Sequence, residues 1–209
     1  MISKEIEEEF PIIKEINYLN IAYGSPLAKS VQKAIYDFLS NLKTKGVDKK
    51  KYFEDLDTLR KESAILLKCN PEEIAFIKNT SEGLNIAANG IPIKRGDNVV
   101  LNDLEHPNNV YPWLNLRNRG VDIRFVPSNG RRVDANDFYD YIDDNTKVVS
   151  VGSITSLGFR FDLEKLGKIC EENGSYLVVD AIQSLGIEPF DVKKYGIDLL
   201  SSSCHKGLL

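Results

Sequence analysis

From residue 72 onward, short apolar runs alternate with helix-like stretches, and this alternation constrains the fold more than any other feature. The runs fall at residues 74–77, 99–101, 121–126, 148–151, 176–179 and 197–200. Helical spacing fills the intervals at residues 81–88, 110–117 and 134–141, and Asp162 is placed to cap a further helix with Leu163, Leu166 and Ile169 on one face. Strands alternating with helices in this way belong to a largely parallel sheet covered on both faces. The expected class is therefore α/β, a three-layer αβα arrangement. Upstream, Ser25-Pro26 reads as a cap with proline at the first helical position, and Val31, Ala34, Ile35, Phe38, Leu39 and Leu42 recur behind it at helical spacing. A second helix is expected over residues 52–68, with Tyr52, Leu56, Leu59, Ser63 and Leu66 on one face. The charged run between the two helices reads as a solvated connection.

Composition removes several classes of function. The chain has 209 residues, 27 basic and 31 acidic, for a net charge of −4, with none of the basic excess that grips nucleic acid. No apolar run approaches the roughly 18 residues of a membrane span, and the acidic start MISKEIEEEF has no secretory core. Three scattered cysteines, Cys69, Cys170 and Cys204, make no disulfide framework, so a reducing cytoplasm is expected. Neither G-x-G-x-x-G nor G-x-x-x-x-G-K-[ST] occurs at a strand end, so dinucleotide and P-loop chemistry lack their glycines.

Ligands in open α/β sheets bind beyond the carboxyl ends of the strands. Polar residues collect at those ends here: Thr80 and Ser81, then Glu105 and His106, Thr155 and Ser156, Asp180 and Gln183, and finally Ser203, Cys204, His205 and Lys206. Both histidines of the chain are among them. Each also has a plainer structural reading. Thr80 and Ser81 serve equally well as helix caps, Asp180 as a turn residue and Lys206 as a solvated cation. Cys204-His205 has no second Cys/His pair at ligand spacing, so no metal is expected. Cys170 and Trp113 read as packing. A lysine, an acid and a helix N-terminus together suit a phosphate-bearing cofactor, and pyridoxal phosphate requires that set.

The stretches NTSEGLN at 79–85, LEHPNNVYPW at 104–113, SITSLGFRFDL at 153–163, YLVVDAIQSLG at 176–186 and DLLSSSCHKGLL at 198–209 resemble the class V aminotransferases. That branch of the fold-type I pyridoxal-phosphate enzymes includes cysteine desulfurases, selenocysteine lyases and isopenicillin N epimerase-like proteins. The resemblance runs from about residue 17 to the end. It implies an N-terminal segment over 1–16 and part of a cofactor-binding large domain over 17–209. It also implies the residue roles. Lys206 forms the Schiff base, Asp180 pairs with the pyridine nitrogen, Gln183 and Thr155 reach the phenolic oxygen, and His106 stacks on the ring. Thr80, Ser81, Ser203 and His205 hold the phosphate. An amino-acid substrate and a homodimer are implied as well. Pro107 and Thr155 stand where desulfurases commonly carry a basic residue and an asparagine, and look more like the epimerase-like branch. The family continues past Lys206 into an antiparallel strand between the 74–77 and 197–201 runs, and into a further domain. Residues 1–209 alone are therefore expected to leave those two edges unpaired, to be marginally stable and to be inactive.

Overall fold

The computed structural model describes residues 3–209. Five parallel strands form one sheet: β1 (Asn98–Asn102), β2 (Asp122–Val126), β3 (Thr146–Gly152), β4 (Tyr176–Asp180) and β5 (Leu199–Ser201), in the order β2-β1-β3-β4-β5. Successive residues of each strand face opposite layers. Val99, Leu101, Val148 and Val178 pack with Leu84, Trp113 and Leu116 on one side. Val100, Val149, Leu177 and Val179 pack with Phe138, Phe161 and Leu166 on the other. The middle of the sheet is thus buried on both faces, which is why its central strands are rich in valine and leucine.

The first layer of helices comes from α4 (Thr80–Gly90) and the short α5 (Tyr111–Leu114); the opposite layer comes from α6 (Leu163–Asn173). Asp162 caps α6 as its sequence suggests, accepting from the Lys165 amide at 3.0 Å. Two expected helices are shorter and tighter than their spacing implies. Past α5 the chain winds as a 3-10 helix over Asn115–Arg119, and the 134–141 stretch holds only a 3-10 turn at Ala135–Phe138.

Three expectations need correction. The first strand, residues 74–77, is absent from the sheet: the segment joins no ladder, and the sheet has five strands rather than six. A strand needs a neighbour at about 4.8 Å, and here a groove of about 260 Å³, lined by Ile74, Phe76, Leu200 and Ser203, separates the segment from β5. No antiparallel strand from the described residues enters that groove, so the outer edge of β5 is open, as the resemblance implies.

Ser25-Pro26 does not cap a helix. Beyond the short α1 (Lys4–Glu9), the first long helix, α2 (Lys29–Lys45), starts after Ala28 with no side-chain cap, because Ser25 is engaged elsewhere: its amide and hydroxyl both donate to the His205 carbonyl, at 2.8 and 3.2 Å. The charged connection is also shorter than expected, since Asp48 caps α3 (Lys49–Leu67) and draws the lysine run into its first turn.

The apolar stripes of α2 and α3 exist but face outward. Val31, Ile35, Leu39, Leu42, Tyr52, Leu59 and Leu66 are all exposed, and only Ala64 of α3 is buried.

Candidate functional site

In this strand order the chain reverses direction between β1 and β3, and the crevice beyond their carboxyl ends is where such sheets bind ligands. A small cavity of about 60 Å³ lies among the turns after β1, β3, β4 and β5, lined by Glu105, His106, Thr155, Asp180, Gln183 and Lys206. An adjoining cavity of about 220 Å³ shares Thr155, Gln183 and Lys206 and adds Ile21 and Ala22. A further cavity, about 850 Å³, lies between α2 and α3 and does not touch these strand ends.

Asp180 is the last residue of β4 and is 5% exposed. One carboxylate oxygen accepts from the Ile182 amide at 3.0 Å. Burial pushes its carboxyl above the usual range, opposed by that N–H and by the His106 and Lys206 charges. Burial draws the Lys206 amine below the usual lysine range, and the Asp180 charge opposes this. An acid and an amine on different strand ends thus share one desolvated space. The turn after β4 is fastened by Ser153, whose amide donates to the Asp180 carbonyl at 2.9 Å and whose hydroxyl pairs with that of Ser184.

His106 opens the turn after β1; its Nδ1 accepts from the Asn108 amide at 3.3 Å. Gln183 donates to the Ala22 carbonyl at 3.2 Å. With the Ser25–His205 contact, this lays residues 18–25 across the mouth of the site. Sequence reasoning missed the strap, because its contacts run mainly to backbone carbonyls.

Four expected residues do not line the cavity. Thr80 and Ser81 begin α4, and Ser203 and His205 pair with each other at 2.8 Å on the turn before Lys206. Thr80 is nevertheless tied to the site, since its carbonyl accepts from Ser201 at the end of β5, at 3.0 Å. Its buried hydroxyl has no partner, and among the described residues the Thr80 and Ser81 amides have none either. An orphaned hydroxyl and open amides at the positive end of an 11-residue helix fit an anion such as a phosphate. The residues present therefore fit a cofactor carrying both an aldehyde and a phosphate.

Lys206 owes its place to a backbone crossing. A Cβ on Gly207 would come within 2.3 Å of the Leu185 carbonyl oxygen, and one on Gly186, whose φ is +87°, within 2.3 Å of the Gly207 carbonyl oxygen. Gly207→Ala is therefore expected to force the lysine turn away from the turn after β4. Overpacking of this kind costs about 1–3 kcal/mol, so thermal unfolding should shift down and cofactor affinity should fall with it. A variant as stable as the parent would contradict the crossing.

Cys170 is core as expected, its thiol pushed up to about 12 by burial. Trp113 is fully buried and donates to Asn109 at 3.3 Å.

The class V aminotransferase family model matches residues 17–209. A probable cysteine desulfurase of Methanothermobacter thermautotrophicus is 33% identical over 153 residues, covering 70% of this chain and 38% of that protein. The apo cysteine desulfurase from Thermococcus onnurineus NA1 superposes with a TM-score of 0.89 at 31% identity, over 99% of this chain and 54% of that one. The cystine C-S lyase C-DES, solved with its reaction product cysteine persulfide, shares the fold with a TM-score of 0.85 at 22% identity, over 95% of this chain and 55% of that one. The chain thus spans about half the length, or less, of the relatives it matches. Its architecture is that of the fold-type I large domain, as the motifs imply. The family match takes in every strand and every residue that the strand ends bring together, and the chain belongs to the class V aminotransferases.

Proposed function

We propose that this chain carries the cofactor site of a pyridoxal-phosphate enzyme that acts on an amino acid, with cysteine as the favoured substrate. The observation that carries the reading is the shared cavity of Asp180 and Lys206, walled by His106, Thr155 and Gln183. Lys206 would hold the cofactor covalently and Asp180 would pair with its pyridine nitrogen. His106 would lie on the ring face, with Gln183 and Thr155 toward the phenolic oxygen. Thr80 and Ser81, with Ser203 and His205, would take the phosphate. When bound, pyridoxal phosphate supplies an electron sink for charge developing at the substrate α-carbon.

The chain's own groups do the rest. Burial favours the neutral amine of Lys206, which can attack a carbonyl and then carry a proton to or from the substrate. The Asp180 carboxylate would keep a proton on the cofactor's ring nitrogen. The strap over residues 18–25 narrows access of water.

Cysteine is favoured because the relatives at 33% and 31% identity are named cysteine desulfurases. Pro107 and Thr155 favour a second reading, an epimerase-like or aminotransferase reaction at the α-carbon. A homodimer in the cytoplasm fits the outward apolar stripes of α2 and α3, and no helix among the described residues is long and apolar enough to cross a membrane. A non-catalytic relative is disfavoured by the intact set of Asp180, Gln183, His205 and Lys206.

Protein purified with pyridoxal phosphate should be yellow, and borohydride should fix the cofactor to Lys206 in a peptide map. A colourless protein, or label on another lysine, would overturn the reading. Sulfide release from L-cysteine under a thiol reductant then separates the two branches.

A further inference from the structure

Glu105 follows β1 and meets β3 at the reversal of strand order. Its two carboxylate oxygens face three donors. The Gly152 amide donates to both, at 2.9 Å each. The Asn102 side-chain amide donates to one, and that of Asn109 to the other at 2.8 Å. Neither amide can turn round. The Asn102 oxygen accepts from the Leu104 amide at 3.0 Å. The Asn109 oxygen accepts from Trp113 at 3.3 Å and from Ser150 at 2.6 Å. Every partner therefore presents a hydrogen, which suits an ionised carboxylate and leaves a protonated acid or a carboxamide with one donor too many. The carboxylate also packs closely on Gly152: a Cβ there would lie 3.3 Å from the Glu105 carboxylate and 3.2 Å from the Ile154 carbonyl oxygen.

The two ends of this cage lead straight into the site. His106 is the next residue after Glu105, and Ser153, Ile154 and Thr155 follow Gly152. We propose that Glu105 is a positioning residue whose carboxylate clips the turn carrying His106 to the turn carrying Thr155, and that the clip loosens when the carboxylate takes a proton. The proposal rests on the reading of His106 and Thr155 as cofactor-binding residues.

The pH at which this happens lies within reach. Burial pushes the Glu105 carboxyl up to about 7; the donors from Asn109, Gly152 and Asn102 hold it down, and the Asp180 charge pushes it further up. The titratable groups that share its cavity are Asp180 after β4, Lys206 after β5 and His106 on its own turn. The partners from α5 and β3, Trp113 and Ser150, are neutral.

The test begins without cofactor. In the apo protein, the Gly152 amide resonance should move with pH between about 5.5 and 8.5, the window of a raised carboxyl. It should stop moving in Glu105→Gln, and its midpoint should fall in Asp180→Asn, where the neighbouring charge is gone. In the loaded protein, affinity for pyridoxal phosphate should weaken about tenfold on acidification through that window, the scale of one charged hydrogen bond. Glu105→Gln should bind weakly at both ends of the range. Should that variant fail to fold, Glu105→Asp keeps a titrating carboxylate and should retain a pH-dependent Gly152 signal. A Gly152 amide flat across the range in the parent would overturn the proposal, as would a titration that survives Glu105→Gln unchanged. A parent that binds no pyridoxal phosphate, yet loses the Gly152 titration in Glu105→Gln, would uphold the clip and overturn the cofactor reading.

Discussion

In the full-length protein, replacing Lys206 by alanine should lower turnover of the cofactor-loaded enzyme by about 10,000-fold or more. The substitution removes the nucleophile and the proton carrier together, and a positioned acid–base group alone is typically worth about 100- to 10,000-fold. The other parts of the site should remain. The orphaned Thr80 hydroxyl and the open amides of Thr80 and Ser81 do not depend on the lysine. The variant should therefore still take up pyridoxal phosphate weakly, with the spectrum of the free aldehyde, and dialysis should remove the cofactor. Lys206 is only partly buried, so its loss should leave the unfolding transition within a few degrees of the parent's. Steady-state turnover, an absorption spectrum and a melting curve on one preparation check all three. Turnover above about one hundredth of the parent's would remove Lys206 from the role that the resemblance implies.

The sequence discloses the strands in the middle of the sheet and most of the cavity wall, each for a physical reason. β1, β3 and β4 are buried on both faces, so most of their central residues are apolar regardless of the neighbour, and a local reading finds them to within two residues. Residues 74–77 look the same locally and are not a strand, because pairing belongs to two segments and a run of Ile-Ala-Phe-Ile carries no sign of whether a partner is present. The stripes on α2 and α3 show the same limit, since periodicity reveals an apolar face but not what lies against it. His106, Thr155, Asp180, Gln183 and Lys206 were legible because each follows a strand, and strand ends converge by topology. The strap over residues 18–25 was not, since it is held mainly through the Ala22 and His205 carbonyls, and every residue has a carbonyl. The cage around Glu105 lies between these cases. Its carboxylate stands at a strand end, but its partners are two asparagines and a glycine amide that become donors aimed at one point only in the folded chain.

Asp180 should show activity and stability moving in opposite directions. One of its oxygens is held by the Ile182 amide, and the other accepts no hydrogen bond among the described residues. Burial raises its carboxyl in the folded state, so the native protein binds a proton more readily there than the unfolded chain does. The sign follows from linkage: below the unfolded value this group costs the fold nothing, and stability falls as the pH rises from there through the raised folded value. Above that raised value the apo protein carries an ionised carboxylate held by one N–H, which is what a site needs if it is to hold a cation on a ligand. Asp180→Asn keeps the shape and the bond to Ile182 and removes the charge. Without cofactor, this variant should therefore unfold at a temperature equal to or above the parent's at neutral pH, and the difference should vanish in acid. In the full-length protein loaded with cofactor, it should lose about 100-fold or more in turnover, because a charge-assisted hydrogen bond in a dry site contributes several kcal/mol to the reacting state. Asp180→Ala should lose at least as much activity. An asparagine variant that melted well below the parent at neutral pH, or that kept near-parental turnover, would show that the carboxylate serves the fold rather than the chemistry.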